Sequence, residues 1–117
     1  MYHPFEIPAP DELARFHQIA SQPLPDIPGG YILRASTDRG GDVELVVDPL
    51  GRSIRLRFSV LLHLVFDLFR EGATRLRLAE TYGSLVIAIE FEAGEIAGTL
   101  YINVGGTINI KDSLLLH

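Results

Sequence analysis

The chain has 117 residues, 47% of them apolar, a net charge of −5 and no cysteine. That length predicts one domain, and the apolar content predicts a packed core rather than disorder. The acidic balance argues against nucleic acid as a partner, because its binders carry a basic face. The missing thiols exclude disulfides and thiolate-held metals.

The first residues, Met1 to Pro8, lack the basic-then-apolar order of a secretory signal. No run reaches the ~18 uninterrupted apolar residues of a membrane span. The expected location is the cytoplasm, with no membrane partner. Six of the seven prolines fall between Pro4 and Pro28. This divides the chain into an N-terminal arm, 1–28, and a body, 29–117. Within the arm, Pro10-Asp11-Glu12 opens a short helix whose apolar face is Leu13, Phe16, Ile19 and Ala20. The stretch 22–30 is too rich in proline to continue it and reads as an extended connector.

The body opens with three alternating patterns, predicted as strands over 31–37, 43–48 and 53–58. Setting Asp48 against Ser53 places Glu44 opposite Arg57 and keeps apolar residues facing apolar ones. Residues 59–71 read as a helix, with Ser59 as N-cap and Gly72 just past its end. Its polar residues His63, Asp67, Arg70 and Glu71 form one narrow stripe, so the rest of its circumference requires cover. Four more strands are predicted over 74–80, 84–91, 95–104 and 107–111, separated by glycine-bearing turns. The expected fold is α+β: an antiparallel sheet, in the order βββ-α-ββββ, curled around a central helix at 59–71.

On such a helix His63 and Asp67 stand one turn apart and suit an acid–base pair. A sheet wrapped around one helix resembles the hot-dog family of acyl-thioester hydrolases and dehydratases. The resemblance is carried by the arrangement and by no residue motif. It implies that His63 or Asp67 would do the chemistry.

Arg55, Arg57, Arg75 and Arg77 take outward positions on strands flanking the helix, a candidate basic patch for an acidic group. The bland alternative is neutralisation by Glu44, Asp48, Glu90 and Glu92 in cross-strand pairs worth ~0–1 kcal/mol each. The outer face of the last strands carries Val86, Ala88, Ala97, Thr99 and Tyr101, small or apolar where charges are expected. Such a face packs on something: the arm, a second copy or a partner. The histidines His3, His17 and His117 have no zinc-like spacing, and Gly105-Gly106 is a hairpin turn, so no metal or cofactor is expected.

The leading expectation is a non-enzymatic bacterial protein-binding module of the immunity-protein kind. It would neutralise a cognate toxin by occlusion, through Arg55, Arg57, Arg75, Arg77, Val86, Ala88 and Tyr101. The alternatives are the hot-dog-like enzyme using His63 and Asp67, and a homo-oligomeric scaffold, a homodimer included.

Overall fold

The computed structural model describes residues 4–116, with the side chains of residues 4–113. One short helix, α1 (Pro10–Leu13), precedes β1 (Ala20–Pro23), β2 (Tyr31–Ser36), β3 (Gly41–Asp48), β4 (Ser53–Val60) and β5 (His63–Glu71). There follow β6 (Ala73–Thr81), β7 (Ser84–Ala93), β8 (Ile96–Val104) and β9 (Ile108–Leu116). β1 to β5 form one antiparallel sheet and β6 to β9 another, and in both the spatial order is the chain order.

Alternation along the strands decides which faces meet. In β3, Val43, Leu45 and Val47 are buried while Asp42, Glu44 and Val46 are only half-covered. In β7, Leu85, Ile87, Ile89 and Phe91 point the same way and are buried. The inward residues of both sheets form one cluster, with Leu33, Leu45 and Leu56 from the first and Leu76, Ile87, Leu100 and Ile102 from the second. Full burial of each such side chain contributes about 1.5–3 kcal/mol. The register is as the alternation requires: Asp48 faces Ser53, and Glu44 faces Arg57.

The chain passes from the first sheet to the second through Gly72 alone, which stands at φ 85°. A Cβ there would lie 3.1 Å from the Ala93 Cβ and 3.2 Å from the Glu92 carbonyl oxygen. The left-handed backbone and the crowding both select glycine. Hydrogen bonds pin the corner on either side. The Glu92 N–H donates to the Gly72 carbonyl at 2.9 Å, and the Ala73 N–H donates to that of Arg52 at 3.0 Å.

The expected central helix is absent, and with it the α+β, βββ-α-ββββ arrangement. The seven predicted strands are present, but residues 59–71 are the end of β4, a two-residue turn and β5. Leu61 and Leu62 both have positive φ, 50° and 68°, the pattern of a type I′ hairpin turn. The apolar residues that suggested a wrapped rod are instead largely exposed on an outermost strand. The result is a nearly all-β pair of facing sheets.

The arm also differs from its expectation. The helix stops after Leu13, and residues 20–23 join the first sheet beside β2. Leu13 and Phe5 are buried in the common core, and Phe16 and Ile19 pack against it. Glu6 forms a parallel bridge with β6: its N–H donates to the Thr74 carbonyl, and its carbonyl accepts from the Leu76 N–H. Tyr31 donates its hydroxyl to the Pro8 carbonyl at 3.2 Å. The arm thus fills and closes the β1–β6 side of the molecule. Leu13→Ala is expected to cost about 2–5 kcal/mol, as a buried leucine in any core does. Urea unfolding monitored by circular dichroism checks this; a loss below about 0.5 kcal/mol would show that the arm is not part of the core.

Candidate functional site

A sheet edge presents unpaired backbone donors and acceptors, so folded proteins shorten, charge or cover it. Three of the four edges here follow that rule. β1 has four residues and ends in Pro23. β6 is bridged by Glu6 of the arm. β9 carries Lys111 and Asp112. The fourth, β5, runs for nine residues with an apolar first half.

Ten large apolar residues are exposed among the described residues, and six belong to this hairpin: Leu61, Leu62, Leu64, Val65, Phe66 and Phe69. Such a concentration marks one surface rather than scattered singles. Leu62, at the tip, is 93% exposed. A leucine in the left-handed region costs about 1–2 kcal/mol, and the turn holds two in succession. The tip rests on the β2–β3 turn, where the Leu61 N–H donates to the Gly40 carbonyl at 2.9 Å. Between Phe66, opposite Phe58, and Leu64, opposite Ser59, Val65 has no partner on β4. It is the extra residue of a β-bulge and is 62% exposed.

The bulge and the pleat sort the strand into two faces. Leu64, Asp67 and Phe69 lie opposite the outward residues Ser59, Arg57 and Arg55. Phe66 and Leu68 lie opposite the inward Phe58 and Leu56. On the inward side a groove opens between the two sheets, lined by Phe58, Val65, Phe66, Ile108 and Ile110. Its far end is latched. Arg70 holds both oxygens of Asp112 at 3.0 and 2.6 Å, with its guanidinium 5.1 Å from the Phe91 ring centre.

His63 and Asp67 do not form a pair. On a strand they stand about 13 Å apart along the chain, and His63 faces Val60 while Asp67 faces Arg57. The hot-dog arrangement, which needs a helix here, is overturned by the hairpin. Asp67 is engaged by arginines. Arg55 donates Nε and Nη2 to its two oxygens at 3.2 and 3.0 Å, and Arg57 Nε lies 3.5 Å away. The Arg55 hydrogen bond, opposed in part by desolvation, holds its carboxyl below the usual carboxylate range. A proton donor near neutral pH requires the opposite shift.

The four arginines fall into two pairs, Arg55 and Arg57 on the first sheet, Arg75 and Arg77 on the second. Arg75 lies 4.0 Å from Glu6, and Arg77 donates to Glu90 at 3.0 Å. Val86, Ala88 and Tyr101 share the outer face of the second sheet. Ala88 pairs across with Tyr101 and is buried, whereas Tyr101 is 37% exposed. Arg55 and Arg57 border the β5 surface through Asp67, whereas Arg75, Arg77, Val86, Ala88 and Tyr101 lie on the second sheet; the apolar residues of β5 are not among the predicted binding residues. The overlooked signal was the alternation of β4, which runs past Phe58 to Val60 and leaves no residue to cap a helix. His3 and His117 lie outside the described residues.

A solved structure described as a contact-dependent growth inhibition toxin–immunity protein complex from Klebsiella pneumoniae 342 contains a chain of the same fold. The TM-score is 0.80 over 94% of this chain and 96% of that one, at 15% sequence identity. No protein-family model matches the sequence, and no curated protein does.

Two outcomes test the hairpin's energetics. Replacing Leu61-Leu62 by Asn-Gly, the pair suited to a type I′ turn, is expected to stabilise the fold by about 1–2 kcal/mol in equilibrium unfolding. An unchanged or lowered stability would refute strain at the tip. Asp67→Asn is expected to destabilise at neutral pH. A carboxyl whose folded pKa is depressed contributes stability above its unfolded value of about 3.9, and loses it as pH falls through the lower folded value. The deficit of the variant should therefore shrink as pH is lowered from about 5 toward 2, read from denaturant midpoints. A deficit constant across that window would refute the ion pair's contribution.

Proposed function

We propose that this chain is an immunity protein, a non-enzymatic partner that binds a toxin domain and blocks it by occlusion in the cytoplasm of the cell that makes both. The observation that carries the reading is the exposed apolar β4–β5 hairpin, presented on a fold also found in a toxin–immunity complex. Fold likeness by itself is a weak guide to function, and the surface supplies the rest. Two charged groups of β5 are committed to structural pairs, Asp67 with Arg55 and Arg57, and Arg70 with Asp112. The apolar groups beside them are free to dock. That is the composition of an interface centre, apolar and aromatic with its charges at the margin.

The net charge of −5 supports the same reading. An inhibitor must reach its toxin before the toxin reaches its target, and opposite net charge raises association rates. The partner this favours is a basic domain.

The test is neutralisation. Cells producing the toxin domain encoded beside this gene are expected to regain growth when this chain is co-produced, and the two proteins to co-purify as a complex. Absence of a toxin gene at that position, or continued growth arrest with the chain present at equal abundance, overturns the reading.

A further inference from the structure

Among the described residues, no strand pairs with the outer edge of β5. A strand placed there would meet apolar surface on both of its sides. Its inward side chains would lie over the groove of Phe58, Phe66, Ile108 and Ile110. Its outward ones would lie beside Leu64 and Phe69, which are 57% and 60% exposed. Backbone pairing would supply affinity, and these alternate pockets would supply selectivity.

Charge narrows the occupant. Asp67, on the outward side of β5, is matched by Arg55 and Arg57, so the charge that selects the partner is that of the chain as a whole, which is acidic. A second copy of the chain would bring a second −5 to the contact. A basic strand meets no such overall repulsion.

We infer that β5 is a docking strand. A basic partner protein adds an extended strand to its free edge, with alternate apolar side chains entering the Phe58–Phe66–Ile108 groove and the Leu61–Leu62 turn as a second anchor. The inference rests on the immunity reading for the identity of the partner, a toxin domain. The strained turn fits this role: a leucine pair in the left-handed region costs stability, and Leu62 at its tip is almost wholly in water until something covers it.

The experiment uses the full chain and the toxin domain encoded beside its gene. Leu64→Lys and Phe69→Lys are solvent-facing changes, and unfolding midpoints near the wild-type value establish that each variant is folded. Each is expected to weaken binding about 30-fold or more by titration calorimetry, the loss typical of a hot-spot side chain. Tyr101→Ala, on the other sheet, is expected to leave affinity unchanged. Hydrogen exchange on the complex is expected to show new protection of backbone amides within 64–69, which side-chain docking alone would not produce. Three results would overturn strand addition while leaving the immunity reading in place. One is wild-type affinity in both lysine variants. Another is unchanged exchange along β5. The third is a Tyr101-dependent complex. A wild-type chain that neither binds nor neutralises the toxin domain removes the reading and this inference together. A dimer of the isolated chain by light scattering, dissolved by Leu64→Lys, assigns the edge to a second copy and also overturns it.

Discussion

Burial of Leu45, Val47 and Leu56 in one cluster with Ile87, Ile89 and Leu100 is the interaction on which the rest of the structure depends. Each meander has one apolar face, and neither can leave that face in water. Packing them together removes both faces at once and fixes which side of every strand is available to solvent. The outward positions then become predictable. Arg55 and Arg57 must emerge on one exterior, and Arg75 and Arg77 on the other. Their separation is a consequence of the core, not of any local feature of the arginines.

The same packing leaves four strand edges to be managed. The arm meets that need at β6, and its Phe5 and Leu13 plug the gap between the sheets on that side. On the opposite side the Arg70–Asp112 pair spans the sheets, while the groove beside it stays open. The molecule is therefore asymmetric: one flank is sealed by its own chain, the other is lined by phenylalanine and isoleucine facing water. That asymmetry, more than any single residue, points the candidate site toward the β5 flank.

Much of this was legible in the sequence, and the parts that were not have specific causes. Strands such as Ser53–Val60 and Ser84–Ala93 declare themselves because buried and exposed residues alternate between glycine-bearing turns. Gly83 and Gly94, both at positive φ, supply conventional turn chemistry. The β4–β5 turn has none, since leucine is disfavoured at positive φ, and so the break at Leu61-Leu62 was invisible. The strand after it is apolar on both faces, a pattern that period alone does not separate from a buried helix. Apolar content suggests a demand for cover, whereas here it is surface. The partner of Arg55 was hidden for the same reason: Asp67 comes within reach only if its segment is a strand. β1 was obscured because prolines mark connectors, but Pro23 closes a strand at the margin of the sheet, where a missing N–H is tolerated.

Gly72 has a consequence for how the chain is assembled. Because a single residue separates the two meanders and each sheet is wound in chain order, every strand pair forms between sequence neighbours. Hairpins can zip independently, and such local topology favours rapid formation. Docking of the halves must come last. On a ribosome the first half is complete before the second is made, so its oily side waits uncovered for about forty-five residues of further synthesis, roughly two to nine seconds at ordinary elongation speeds. A nascent chain of this design is most vulnerable to misassociation during that interval, and any chaperone dependence would be expected to fall within it.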